Sequence, residues 1–433
     1  MASIRLAYVG GGSTRAPGTV ASLLEQGENF QGSELVLIDL DEKRLELVKT
    51  VGEKLALARG VDMKITTTTD RRAGLTDCDA VLTSFRPGGF EMRHLDESIP
   101  LKHGVIGQET QGPGGFFMAL RSIQVMKEIV SDLAKVSPKA IIFNYTNPIN
   151  IVSQAVTRHT DAAIYSLCEG PITSARQIAL AADIEPHKVE ATTIGLNHAS
   201  WSIRHEHDGN DLIPLLQSAY QRKREDPSVD AHTKRLLQVA ATLESIPPAD
   251  YFQYYLFKDE VFEELAHKPT TRAQDIMASV PGYWDHYHEQ TQQALPRLDP
   301  KRSRGGIFEL ELALDLIDAV FNDTKEVLPV NLPNRGAIQD LPDDCVVEVP
   351  AYTERRGVTP LAVGQLPKPV AGLIKMLAEY QSLAADAAWC GTRKEAICAL
   401  AANPLVLSLD KAEAIYDELA AAQSDYLPER LLR

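Results

Sequence analysis

Long apolar runs are missing from this sequence. None approaches the ~20 residues that a membrane-crossing helix needs, so no transmembrane segment and no membrane partner are expected. The opening Met1-Ala2-Ser3-Ile4-Arg5 enters an apolar stretch at once, without the architecture of a secretory signal. Cysteine is scarce, at 78, 168, 345, 390 and 398. The odd count, irregular spacing and lack of any Cys-x-x-Cys argue against a disulfide framework. A reducing, cytoplasmic location is expected. Basic residues fall short as well, with 44 Lys and Arg against 59 Asp and Glu and a net charge of −15. That balance argues against nucleic-acid or anionic-membrane partners and still allows a local basic pocket.

What is present has the balance of an ordinary globular protein, 44% hydrophobic and 24% charged. At 433 residues the chain exceeds the size of one core, so two domains are expected, over 1–185 and 186–433. In the first, the runs Ile4–Val9, Glu34–Asp39, Ala80–Phe85, Ala140–Asn144 and Ala163–Leu167 read as strands. The segments Glu42–Arg59 and Phe116–Val136 carry apolar residues at helical spacing. Strand–helix alternation predicts an α/β, Rossmann-like, doubly wound parallel sheet. Beyond it, Glu190–Asn197 and Ser200–Glu206 predict neighbouring strands. Helical patterns follow over Ile213–Glu225, Ala231–Glu244, Tyr251–Ala266, Arg272–Val280, Tyr283–Gln293 and Phe308–Phe321, with a break at Pro281-Gly282. A strand-rich patch spans Glu326–Val349, so the second domain reads as α+β and mainly helical.

Gly10-Gly11-Gly12-Ser13 follows the first strand and leads into a helix. Glycines there let backbone N–H groups approach a pyrophosphate at a helix N-terminus. The spacing departs from GxGxxG, with Arg15 at the third glycine position. Asp39 ends the second strand, where a carboxylate accepts hydrogen bonds from a ribose diol and favours NAD over NADP; the competing reading is a helix N-cap. Three further segments are polar beyond the needs of a scaffold. One is the Gly-, Gln- and Glu-rich stretch 85–115, read as a site-forming loop. Another is Asn144-Tyr145-Thr146-Asn147-Pro148, whose amides suit sugar or ribose hydroxyls and which also makes a good turn. The third pairs Cys168 with His198, ligand types for a borderline divalent metal that would leave positions open for substrate, or else an inert core cysteine and a structural histidine.

Together these stretches resemble glycoside hydrolase family 4, NAD- and metal-dependent glycosidases that lie outside the usual two-carboxylate scheme. The likeness is carried by GGGS (10–13), IDLDEKRLE (38–46), SFRPGGFEMRHLDESIPLKHGVIGQETQGPGGFFMALRSI (84–123), NYTNP (144–148), LCEGPI (167–172) and GLNH (195–198). It continues through IPPADYFQYY (246–255), TTRA (270–273) and NLPNRGAIQDLPDDCVVEVPAY (331–352), collinear over nearly the whole chain. The resemblance implies Cys168 and His198 as ligands of Mn2+ or another divalent metal, and Tyr251 as catalytic base. It implies Glu109 as an acidic group near the site, Arg93 and Asn147 as substrate-binding residues, and Arg272 as a basic residue near the C6 substituent.

The implied chemistry explains those residue types. NAD takes hydride from C3 of the sugar, and a metal chelated by the C2 and C3 oxygens acidifies the C2 proton. Tyr251 removes that proton, which requires its pKa to fall from ~10. Elimination expels the aglycone, water adds and the hydride returns, so the net reaction is hydrolysis. Two departures stand out. Glu169-Gly170 follows the cysteine where β-acting members tend to carry Asn or Asp then Val or Ser, making Glu169 either a leaving-group acid or a supporting acid. Arg15 replaces an expected Tyr and would meet a phosphate of the cofactor or of the sugar. GLNH, LC-x-x-PI and Tyr-x-x-Tyr-Tyr lean toward the 6-phospho-β-glucosidase branch, and a homodimer or homotetramer is expected. The alternatives are another family 4 specificity, α-acting or on unphosphorylated glycosides, a 2-hydroxy-acid dehydrogenase, and an NAD-responsive protein without catalysis.

Overall fold

The computed structural model describes residues 1–304 and 311–433. Its twelve strands are β1 (Arg5–Val9), β2 (Ser33–Ile38), β3 (Met63–Thr68), β4 (Ala80–Thr83), β5 (Ile141–Asn144), β6 (Ile164–Ser166), β7 (Val189–Leu196), β8 (Ala199–His207), β9 (Asn210–Asp211), β10 (Val327–Pro333), β11 (Val346–Glu354) and β12 (Gly357–Pro360). Leu6–Val9 of β1 and Ala80–Leu82 of β4 are continuous apolar runs, as strands covered on both faces by helices must be. They pair in parallel register, Ala7 lying opposite Val36 of β2 on one side and Val81 of β4 on the other.

The parallel half runs β3-β2-β1-β4-β5-β6, and the sheet then continues β10-β11-β7-β8-β9, with β12 on β11. The added half is antiparallel: Asn331 of β10 faces Ser166 of β6, and Glu348 of β11 faces Gly195 of β7. One sheet thus runs from the first half of the sequence into the second. Helices pack on it through one buried apolar cluster that includes Leu37, Phe116, Phe143, Trp201, Ile317 and Tyr416. The expected Rossmann-like sheet with a mainly helical α+β second part is what the chain forms.

The strand order reverses between β1 and β4, the switch point beside which open α/β sheets bind ligands. The glycine turn, Asp39, Arg86, Asn147 and Cys168 follow the carboxyl ends of β1, β2, β4, β5 and β6, and His198 lies in the β7–β8 turn, while Glu109, Tyr251 and Arg304 come from connections that follow helices.

Several local expectations need correction. β3 carries Lys64 and three threonines along an outer edge, so it lacks the apolar run that marks the other parallel strands. The polar stretch 85–115 is not one loop: Gly89–Lys102 is a helix, and a second begins at Gly112. A buried ion pair of Arg121 with Asp96 (2.6 Å) locks these helices together, which no hydropathy pattern reveals. Pro281 does not break its helix, which runs from Arg272 to Thr291. Pro281 and Gly282 are both exposed there, so water can serve the carbonyl that proline leaves unbonded. The expected helix Tyr251–Ala266 instead divides at Phe257 into Phe252–Leu256 and Lys258–Ala266. The patch Glu326–Val349 holds two strands separated by a loop that the Asn334 side chain organises, bonding the carbonyls of Ile338 and Leu341. Of the expected helix Phe308–Phe321, residues 308–310 lie outside the described residues, and the remainder belongs to the helix Glu311–Asn322.

Candidate active site

Gly10 has a left-handed φ of 103°, and a Cβ there would stand 2.2 Å from the Ser84 carbonyl oxygen at the end of β4. The turn is therefore pressed onto the switch point itself. Gly10 N and Gly11 N donate to the Ile38 carbonyl, and Gly12 N donates to Asp39 Oδ2 (2.9 Å). Asp39 Oδ1 accepts from Leu40 N (2.7 Å), and the cap of the following helix is Asp41, not Asp39. The half-buried Asp39 carboxylate so braces the glycine turn and keeps lone pairs for further donors. Ser13 follows, its hydroxyl oxygen buried without a partner among the described residues.

Cys168 stands two residues beyond β6, and His198 is the second residue of the two-residue turn between β7 and β8. The sheet brings Cys168 Sγ within 3.6 Å of His198 Nε2, across 30 positions of sequence. His198 is in the left-handed region at φ 63°, an uncommon place for a residue with a side chain. Its tautomer follows from its neighbours. Gln108 Oε1 accepts from the backbone N–H groups of Thr110 (2.7 Å) and Gln111 (2.9 Å), and from the Thr110 hydroxyl (2.9 Å). With its own hydrogen directed at Gln108, Thr110 Oγ1 accepts from His198 Nδ1 at 2.9 Å, leaving the Nε2 lone pair facing Cys168. Burial pushes the His198 pKa down to about 3 against the pull of Glu109, so the ring is neutral. Burial and the charge of Glu348 push the Cys168 thiol up to about 12.

The Tyr251 ring stacks on the His198 imidazole with centroids 3.7 Å apart and planes 9° from parallel. Its loop is fastened to β8, where Ser202 N donates to the Ile246 carbonyl (3.1 Å) and Ile246 N to Ser202 Oγ (2.6 Å). Burial, Cys168 and Glu109 all raise the Tyr251 pKa well above its usual value.

Glu109 lies in a nest of arginines. Arg86 Nη2 meets its Oε2 at 2.5 Å and Arg93 Nη1 at 2.9 Å. Burial opposes its charge, but Arg86, Arg93, Arg304 and Arg15 together hold the carboxyl down to about 2. Arg304 feels burial and then Arg15 and Arg86, which bring it down to about 9, and its guanidinium lies 4.4 Å from the centre of the Phe90 ring. Arg93 is buried and pairs also with Glu97 (2.6 Å), which takes the backbone N–H of Ala273 (2.8 Å). That contact sets the helix of Arg272 against the site, although the Arg272 side chain itself is exposed and makes no ion pair among the described residues. The Asn147 Oδ1 is buried and meets no donor among the described residues. Glu169 Oε1 accepts from the Tyr145 hydroxyl (3.0 Å).

A glycine-bound switch point, a thiol–imidazole pair and a stacked tyrosine thus share one end of the sheet, and the sequence bears out their kinship. The family model described as "Family 4 glycosyl hydrolase" matches residues 5–184, and that of the "Family 4 glycosyl hydrolase C-terminal domain" matches 193–406. The chain belongs to family 4 of the glycosyl hydrolases.

This family 4 glycosyl hydrolase is 34% identical to the "Probable 6-phospho-beta-glucosidase" of Bacillus subtilis (strain 168), over 98% of each chain. It is 31% identical to the maltose-6'-phosphate glucosidase MalH of Clostridium acetobutylicum, over 99% of this chain and 100% of that one. Among solved structures, the 6-phospho-beta glucosidase of Thermotoga maritima with NAD and glucose-6-phosphate aligns at a TM-score of 0.85, with 29% identity over 98% of this chain and 99% of that one. A 6-phospho-alpha-glucosidase from gut microorganisms, in complex with NAD and Mn2+, also aligns at 0.85, with 27% identity over 99% and 100%. The malate dehydrogenase of Plasmodium falciparum shares the fold alone, at 12% identity and a TM-score of 0.56 over 89% of this chain and 99% of that one.

Of the residues named from the sequence, Cys168, His198, Tyr251, Glu109 and Arg93 converge through direct contacts or charge. Asp39 joins the glycine turn, Glu169 follows Cys168, and Arg272 stays at the rim. Sequence reasoning passed over Thr110 and Gln108, which orient His198, and Arg304, which joins the arginine nest. The first two lie inside a stretch already marked by its polarity. Arg304 had no such signal, because its neighbours come from distant segments.

Proposed function

We propose that this family 4 glycosyl hydrolase is a 6-phospho-β-glucosidase using NAD and a divalent metal such as Mn2+. The observation that carries the reading is the approach of Cys168 Sγ to His198 Nε2 at 3.6 Å under a stacked Tyr251. The donor set fits a borderline cation: a thiol and an imidazole lone pair. Among the described residues no group of three or more His, Cys, Asp or Glu side chains could close a metal shell, which suits a cation that must also meet substrate oxygens. The cramped glycine turn and the open lone pairs of Asp39 fit a dinucleotide. When bound, NAD supplies a hydride acceptor and the cation a Lewis acid.

Tyr251 takes the C2 proton of the sugar; burial, Cys168 and Glu109 raise its pKa, so a cation's positive charge would have to bring it down, and stacking on His198 holds the phenol beside that site. Asn147 Oδ1 receives a sugar hydroxyl. Arg93 meets the substrate from its pairing with Glu109, which keeps the guanidinium oriented. Arg272, at the rim, reaches for the C6 phosphate. The gathering of Arg86, Arg93 and Arg304 about Glu109 supports an anionic substrate within a chain that is acidic overall. Glu169, bonded by the Tyr145 hydroxyl, orients groups near Cys168. The β preference rests on the higher identity to the β-acting relative and on the GLNH and LC-x-x-PI motifs. Assays of α- and β-p-nitrophenyl glucosides, with and without a 6-phosphate, test the reading. The expected outcome is cleavage of the β 6-phosphate alone, dependent on added NAD and Mn2+. Full activity in protein stripped of NAD would overturn it.

A further inference from the structure

The carboxylate of Glu348 is 2% exposed and carries no cationic partner among the described residues, an unfavourable state for a buried charge. It lies on β11, one strand beyond the β6–β10 seam where the two halves of the sheet meet. Glu348 faces Asn331 of β10 and Gly195 of β7, and Asn331 in turn faces Ser166 of β6. Ser166 is two residues from Cys168, and Gly195 is three from His198. Three donors converge on the carboxylate: Asn331 Nδ2 (3.0 Å) and Asn197 Nδ2 (3.1 Å) on Oε1, and Ser200 Oγ (2.6 Å) on Oε2. Asn197 and Ser200 stand on either side of His198, the residue held at φ 63°.

We infer that Glu348 is a positioning residue for the metal site: it pins both sides of the turn carrying His198 and supplies a buried negative charge to the cation held by Cys168 and His198. The inference rests on the metal reading of that pair. Hydrogen bonds from both flanks hold the turn in its uncommon conformation, so Nε2 faces Cys168 before any cation arrives. The charge explains an otherwise uncompensated burial, because a divalent cation leaves one positive charge after the Cys168 thiolate. A carboxylate beneath the ligands balances it.

The test compares the metal-free full-length wild type with Glu348→Gln, which keeps size and removes charge, and Ser200→Ala, which keeps charge and frees one flank. Mn2+ affinity is read from loss of the free-ion electron paramagnetic resonance signal. Cysteine ligation is read from the sulfur-to-cobalt absorption band after Co2+ addition, with Cys168→Ser as its blank. Glu348→Gln is expected to weaken Mn2+ binding by ~10–100-fold and Ser200→Ala by about threefold or more. NAD affinity should hold, and the Tm of metal-free Glu348→Gln should not fall, since an uncompensated charge has been removed. Unchanged Mn2+ affinity in Glu348→Gln, with a lowered metal-free Tm, would make Glu348 purely structural and overturn the inference. If Glu348→Gln does not fold, unchanged affinity in Ser200→Ala does the same. A wild type that gives no cobalt band would defeat the metal reading itself, a distinct result.

Discussion

Tyr251 is held by a ring stack and a fastened loop, and neither contact needs its hydroxyl. Tyr251→Phe is therefore expected to leave Tm nearly unchanged and to slow turnover by ~10²–10⁴-fold, the usual loss for a general base. Steady-state kinetics beside thermal melting check this, and wild-type turnover in D2O should place deuterium at C2 of the product. Cys168 behaves differently. With its thiol pushed up to about 12, it is protonated in the metal-free protein at neutral pH, so a cation must displace the proton. Mn2+ addition in weak buffer should release about one proton per site, and affinity should rise with pH below that value. Calorimetry in buffers of different ionisation enthalpy measures the release; binding without proton release would mean that the thiolate is not a ligand.

At the scale of elements, the turn after β1 has little freedom. Gly10→Ala would force a side chain into the left-handed φ of 103° and against a backbone carbonyl that cannot retreat. A loss of stability of about 1–3 kcal/mol or more is expected, with weakened NAD binding, as urea unfolding and NAD titration would show. The stretch Gln108–Gln111 is tied to His198 through Thr110 and precedes the helix beginning at Gly112. Thr110→Val keeps the shape and removes the acceptor for Nδ1–H. It should weaken Mn2+ binding by ~10–100-fold while leaving the helix intact by circular dichroism.

For the whole molecule, Glu109 makes one contribution to acid stability, where the Arg-rich segments meet. Its folded pKa of about 2 lies below the unfolded carboxylate's, so its contribution is complete above ~4.5 and is lost as pH falls toward 2. That contribution is on the order of 3 kcal/mol. Unfolding free energy measured across that window should fall for wild type and fall less steeply for Glu109→Gln.

Strand–helix alternation, the glycine turn and Asp39 were legible from local pattern, because apolar periodicity and backbone sterics act over a few residues. Cys168 and His198 stood out as a pair of ligand types from their own chemistry, and the collinear family motifs added the expectation of a metal there and of Tyr251 as base. The sequence by itself determined the parallel sheet, the acidic charge and the family. Only the tertiary structure decided that β10 and β11 join β6 to β7, and so that Cys168 meets His198. It alone set Thr110 against His198 Nδ1 and gathered Arg304 and Arg15 about Glu109. These outcomes depend on contacts between residues far apart in the chain, where burial and charge are set by neighbours that no local window contains.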